Sequence, residues 1–215
     1  MAVDSLAKKF FHQYPKQTFP AKKTILTASQ DPINIYYLAN GFVRQIVNSA
    51  SGDELTIHIY TPGSYFPMSN VLNQQSNRYI FQTITDATVY LIPKKDIEIF
   101  LRQNPDQLWG LTQRLSAGLE GLSQRIELLT VSNAEQRVAS AIAFFAKHLG
   151  EENNTGLELT IRLTHREIAA MAGLSRERTS LELEKLSKLR ILSTEKKYIS
   201  ILNYKKLISI AQNDL

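Results

Sequence analysis

Seven aliphatic residues constrain this chain more than any other feature: Leu108, Leu111, Leu115, Leu119, Leu122, Ile126 and Leu129 follow one another at steps of 3, 4, 4, 3, 4 and 3. On an α-helix that spacing gathers them into one narrow stripe, the seam along which one helix packs on another. The seam needs a helix of roughly 25 residues, long enough to separate whatever precedes it from whatever follows. Gly118 and Gly121 lie inside it. Each glycine costs ~1 kcal/mol against alanine in a helix interior, and the close approach of a second helix offsets that cost. The stripe therefore predicts a homodimer; the competing reading lays the helix against its own preceding domain.

On the amino-terminal side the pattern has the period of strands. Thr24-Ile25-Leu26, Ile33 to Leu38, Phe42 to Val47, Leu55 to Tyr60, Ile80 to Ile84 and Thr88 to Ile92 are short β-type runs. Asn40-Gly41, Ser51-Gly52-Asp53 and Pro62-Gly63 break them with turn residues, and several short strands in series mean a sandwich or barrel. After Pro93 the period changes, and Lys94 to Gln103 reads as an amphipathic helix ahead of the seam.

Beyond the seam, Ser132-Asn133 supplies a helix N-cap and a joint before a helix over Ala134 to Leu149. A polar loop from Glu151 to Gly156 and a strand over Leu157 to Leu163 lead into Thr164-His165-Arg166-Glu167, a capping box for a short helix through Ala172. Gly173 breaks that helix, and Ser175 caps a second one running to about Leu189. Ile191 to Thr194 and Tyr198 to Ile201 alternate around Glu195-Lys196-Lys197 as a small hairpin. A last helix covers Tyr204 to Ala211.

With 43% hydrophobic and 21% charged residues the chain is globular. No apolar run approaches the ~18 residues of a membrane span, and the first 14 residues hold Asp4, Lys8, Lys9 and His12 in place of a signal peptide's apolar core. A cytoplasmic protein with no membrane partner is expected. The absence of cysteine removes disulfides, thiol nucleophiles, thiolate zinc sites and cysteine-held iron–sulfur clusters. The formal charge of +5 says little by itself, but residues 162–197 concentrate nine basic against five acidic residues, with His165 beside them.

Within that basic stretch, side-chain sizes fit a helix-turn-helix. Ile168 faces the core and Ala169 is small where two helices cross. Gly173 permits a left-handed turn, and Leu174, Thr179, Leu183 and Leu186 form the inner stripe of the second helix. The following hairpin makes it winged. The exposed first turn of the second helix is Arg176-Glu177-Arg178, with Ser180 one turn on, and DNA-reading helices present their amino-terminal residues to base edges. Arginine can grip guanine O6 and N7, and glutamate can accept from cytosine N4.

The string Leu163-Thr164-His165-Arg166-Glu167-Ile168 followed by Gly173-Leu174-Ser175-Arg176-Glu177 resembles the DNA-binding domain of the cyclic-AMP receptor/FNR (CRP/FNR) superfamily of bacterial transcription regulators. Ile35-Tyr36-Tyr37-Leu38, Gly41-Phe42-Val43, Gly52-Asp53-Glu54-Leu55 and Pro62-Gly63 resemble its β-roll, and the leucine seam its dimer helix. The likeness runs from about residue 15 to 205. It implies an α+β fold: an amino-terminal cyclic-nucleotide-binding-like β-roll (jelly roll) over residues 1–107, a dimerisation helix and hinge over 108–133, and a winged helix-turn-helix over 134–215. It also implies that Arg176, Glu177 and Ser180 read bases, while Arg166, Ser175 and Arg178 meet phosphates. Lys196 and Lys197 in the wing tip read as further phosphate contacts or as simply solvated lysines. Where many members carry another base-reading arginine, this chain has Leu181, so the half-site differs from TGTGA or TTGAT. The implied partners are double-stranded DNA, a second copy of the chain and RNA polymerase.

The effector pocket departs further from that family. Its cyclic-nucleotide binders carry a Gly-Glu-Leu turn whose Glu takes the ribose 2′-hydroxyl, then Arg-Ser/Thr-Ala, whose Arg and hydroxyl hold the cyclic phosphate. The corresponding residues here are Phe66-Pro67-Met68-Ser69 and Arg78-Tyr79-Ile80. Arg78 reads equally as an anion clamp or as a surface arginine, Met68 cannot replace the carboxylate, Tyr79 replaces the small hydroxyl, and Ser123 falls near a base contact. An effector other than cyclic AMP, or none, is expected.

Catalysis has no foothold in the sequence. His12, His58, His148 and His165 are scattered, with no i, i+4 pair, and read as structural or solvated; Asp53-Glu54 is a turn pair. Trp109, Phe144 and Phe145 read as core. No enzyme activity, catalytic residue, metal or cofactor is expected. The alternative to a DNA-binding regulator is a small-molecule-binding or protein-interaction module with a degenerate helix-turn-helix, which Leu181 favours and Arg176, Arg178 and the wing lysines oppose.

Overall fold

Several strands of the amino-terminal half read as nearly continuous apolar runs. The computed structural model, which describes residues 2–49, 52–68, 75–153, 156–194 and 198–212, explains why. One four-stranded sheet holds β1 (Lys16–Phe19), β8 (Ala87–Pro93), β3 (Asn34–Asn40) and β6 (Tyr65–Phe66) in that order. A second holds β2 (Thr24–Leu26), β7 (Ile80–Thr83), β4 (Val43–Asn48) and β5 (Glu54–Tyr60). Side chains alternate across a strand, so β3 and β8 feed two cores at once. Leu38 and Val89 pack with Leu26, Val43, Phe66 and Phe81. Ile35, Tyr37 and Ile92 pack in a separate cluster with Ala7 and Phe11 of α1 (Ala2–Phe11) and with Ile97 and Phe100 of α2 (Lys94–Gln103). A sheet covered on both faces has no polar side to show in its sequence.

Helix α1 and strands β1 and β6 are additions to the sequence reading. Phe11 stacks on Tyr37 with ring centroids 4.2 Å apart, and Phe10 on Phe100 at 3.9 Å, which ties the amino terminus to the sheet. β1 is found only through its partner: Lys16 to Phe19 lie opposite Tyr90 to Ala87, and the pairing rests on backbone groups that any sequence carries. Gly41 is required where β3 turns into β4. Its φ is +85°, and a Cβ there would collide with the Asp86 carbonyl and the Ala87 backbone.

The long helix α3 spans Pro105–Val131. Two expectations along it need correction. Leu111 belongs to the core beneath α1 and α2 and not to an exposed seam; the first turns of α3 complete that core, and the residue pointing into it is no longer available to a partner. Trp109 is 64% exposed and not core, because the helix turns its other face inward. Leu108, Leu115, Leu119, Leu122 and Ile126 are exposed, and Leu129 is half-buried.

The chain divides into two compact units, Met1–Val47 with Thr56–Leu122 and Asn48–Leu55 with Ser123–Leu215, so α3 contributes to both. In the second unit α4 (Ala134–Leu149) packs against α5 (His165–Ala172), α6 (Arg176–Lys188) and α7 (Tyr204–Gln212). A sheet in the order β11 (Leu192–Ser193), β12 (Ser200–Ile201), β10 (Gly156–Leu159), β9 (Gly150–Asn153) completes it. Asn133 caps α4 and Gln136 returns the bond, with Oδ1 accepting from the Gln136 amide at 3.0 Å and Gln136 Oε1 from the Asn133 amide at 2.8 Å. The expected polar loop after α4 is in part strand: β9 pairs with β10 from Gly150↔Leu159 to Asn153↔Gly156. The expected strand to Leu163 stops at Leu159, because the Thr160 amide and hydroxyl both donate to the Leu149 carbonyl, at 2.8 and 3.0 Å, and turn the chain toward α5. No helix among the described residues is long and apolar enough to cross a membrane.

Thr179, fully buried where α6 meets the core, has a hydroxyl with no hydrogen-bond partner. An unsatisfied buried polar group costs about 1–3 kcal/mol. Thr179→Val keeps the shape and removes the hydroxyl, so it should raise the unfolding midpoint by several degrees in thermal denaturation. A lowered midpoint would mean that the hydroxyl contributes a bond absent here.

Candidate functional site

The helix-turn-helix is built by local sequence signals. Thr164 caps α5 by accepting from the Glu167 amide at 3.2 Å, while Glu167 Oε2 accepts from the Thr164 amide at 2.7 Å. Gly173, at φ +64°, ends the helix, and a Cβ on it would fall 2.6 Å from Leu129 Cδ2. Ser175 then caps α6, its Oγ accepting from the Arg178 amide at 3.2 Å. Ile168, Ala169, Leu183 and Leu186 are buried between the helices. That packing leaves Arg176 and Glu177 exposed on the first turn of α6 and Ser180 half-exposed one turn on.

Side-chain bonding sorts these residues further. Ser180 Oγ lies 2.9 Å from the Arg176 carbonyl and 2.7 Å from His165 Nδ1. A carbonyl can only accept, so the single hydroxyl proton goes to it and His165 must supply the proton of the second bond from Nδ1. Ser180 therefore presents its oxygen as an acceptor. In the sequence His165 is a histidine without a role; its spacing of 15 residues from Ser180 gives no local signal. Arg178 pairs with Glu182 at 2.7 Å, and the Glu182 side chain is nearly buried. Arg166 Nη2 donates to the Gly52 carbonyl at 3.3 Å. Leu181 is 59% exposed. Lys196 and Lys197 lie outside the described residues.

In the first unit a cavity of about 460 Å³ is bounded by Gln45, Ile57, His58 and Tyr60 of β4 and β5, by Tyr79 just ahead of β7, and by α3 residues from Leu111 to Leu122. Met68 and Tyr79 line it. Arg78 does not line it; it is exposed, with its guanidinium 5.6 Å from the centre of the Tyr79 ring. Ser123 is exposed and also outside the lining. Among the described residues the cation lining this cavity is Arg114, whose Nη2 donates to the Tyr65 hydroxyl at 3.0 Å and whose guanidinium sits 5.0 Å from that ring's centre. Sequence reasoning misses Arg114 because it sits beside the leucine seam, where a charged residue reads as solvated. The Tyr60 hydroxyl donates to Gln45 Oε1 at 2.9 Å. Burial pushes the Tyr60 phenol well above its ordinary range and His58 below its own, so both are neutral near pH 7.

The chain thus joins a β-sheet unit that carries a cavity to a helix-turn-helix unit, with α3 contributing to both. Residues 136–210 match the Crp-like helix-turn-helix domain and residues 16–104 the cyclic nucleotide-binding domain. The chain is similar to the cAMP-activated global transcriptional regulator CRP of Haemophilus influenzae, with 27% identity over 74% of this chain and 71% of that protein. It is also similar to the global nitrogen regulator of Synechocystis sp., with 26% identity over 87% of this chain and 84% of that one. A CRP/FNR-family transcriptional regulator from Thermus thermophilus shares the fold at a TM-score of 0.79 and 25% identity, over 92% of this chain and 98% of that structure. The chain belongs to the CRP/FNR family of DNA-binding transcription regulators.

Proposed function

We propose that this regulator acts in the cytoplasm as a homodimer on a pseudo-palindromic site and answers to an effector other than cyclic AMP or to none. The observation that carries the reading is the exposed first turn of α6, where Arg176 and Glu177 stand clear of the core beside Ser180. Two such helices related by a dimer axis enter successive major grooves about 34 Å apart. Arg176 is assigned to a guanine and Glu177 to a cytosine amino group. Ser180, held as an acceptor, suits the amino group of adenine or cytosine, and Leu181 suits a thymine methyl. Arg166, Ser175, Arg178, Lys196 and Lys197 are assigned to phosphates, which fix register without reading sequence. RNA polymerase is the further partner. Selection of bound duplexes from a random library, with and without a metabolite extract, tests site and effector dependence together; enrichment of no motif under either condition would sink the reading.

Cyclic AMP should bind weakly. Met68 offers no acceptor for a ribose hydroxyl, and Arg78 stands outside the cavity lining. Each lost polar partner costs ~1–3 kcal/mol, or roughly tenfold to a hundredfold in affinity. Calorimetry that found micromolar binding, coupled to stronger DNA binding, would overturn this expectation.

A further inference from the structure

We propose that the cavity between the β-sheet residues and α3 takes a small aromatic carboxylate, with its carboxylate gripped by Arg114 and its ring held among Tyr60, Tyr65 and Tyr79. The proposal rests on reading this cavity as the regulator's effector site, and it names the class of ligand that the site selects. At about 460 Å³ the cavity has the size of small-molecule sites. Arg114 is the single permanently charged residue among the described residues lining it, and no carboxylate faces it there. Its hydrogen-bond partner is a neutral tyrosine hydroxyl, and a guanidinium has five donors in a planar fork, two of which match the two oxygens of a carboxylate. His58, kept neutral by burial, adds no second positive charge. One cation selects one anionic group.

The remaining lining sets the body of the ligand. Ile57, Met68, Leu115 and Leu119 are apolar, and Tyr60, Tyr65 and Tyr79 offer ring faces and edges that favour a flat aromatic partner by stacking or edge contact. A sugar phosphate would leave most of its hydroxyls without partners against such walls. The Tyr60 bond to Gln45 Oε1 leaves the Gln45 amide nitrogen as a neutral donor for a ring substituent.

The test is calorimetric titration of the full chain with benzoate, phenylacetate and 4-hydroxybenzoate, with phenylacetamide as the uncharged counterpart of phenylacetate, and with succinate and cyclic AMP. At least one aromatic acid should bind ten times more tightly than succinate and cyclic AMP, and phenylacetate more tightly than phenylacetamide. Arg114→Leu should abolish the preference for phenylacetate over phenylacetamide, and Arg114→Lys should keep part of it. Three outcomes overturn the proposal: no aromatic acid binding below millimolar concentration, equal binding of phenylacetate and phenylacetamide, or a preference that survives Arg114→Leu. The effector reading is checked separately by gel shift on the selected duplex. An aromatic acid that binds through Arg114 and leaves DNA affinity unchanged supports the ligand class and overturns the cavity's regulatory role.

Discussion

A chain carrying Leu115→Lys and Leu122→Lys should run as a monomer in light scattering at concentrations where the unaltered protein is a dimer, and its affinity for the selected palindrome should fall by about 10²–10⁴-fold. Leu115, Leu119, Leu122 and Ile126 are exposed along one stripe of α3, with Leu119 66% and Ile126 64% accessible. Apolar surface left in water costs about 25 cal/mol per Å². A Cβ on Gly118 or Gly121 would meet nothing within 4 Å, which leaves room for a second helix to approach closely. Lysine at the seam puts charge where a partner would have to desolvate it. Loss of the dimer removes the second half-site contact, whose advantage is an effective concentration in place of a free one. Leu115 and Leu122 also line the cavity, so Ile126→Lys, outside it, is the control that must give the same monomer. An unaltered chain that is already monomeric disposes of the prediction.

Arg176→Ala should weaken binding to the selected site by about 1–3 kcal/mol per half-site, and so by roughly 2–6 kcal/mol in a dimer if the two half-sites act independently. Preference should relax at one position in each half-site while affinity for random duplex changes little. Arg166→Ala is the contrast: it should weaken specific and random duplexes alike and flatten the salt dependence, as loss of a phosphate contact does. The two arginines belong to adjacent helices, and only Arg176 stands on the first turn of α6. Equal loss on specific and random DNA for Arg176→Ala would reassign it to phosphate and pass base reading to Glu177 and Ser180.

Wherever a local rule governs, the sequence determined the outcome by itself. Thr164 with Glu167, Gly173 and Ser175 set the ends of α5 and α6 through bonds spanning three or four residues, and the structure has those caps and that left-handed glycine where the sequence puts them. The 3.6-residue period likewise located α2, α3, α4 and α7, and the turn residues located most of the strands. What the tertiary structure alone decided are contacts between distant segments. β1 and β9 are strands because β8 and β10 offer them backbone partners. Leu111 left the seam because Phe11 and Phe100 pack in the same core. His165 meets Ser180 across the helix-turn-helix, and among the described residues Arg114 is the cation lining the cavity because α3 carries its side chain to Tyr65, 49 residues away in sequence. A helix period says which residues share a face. It does not say what that face meets, because that depends on surfaces brought together only when the chain folds.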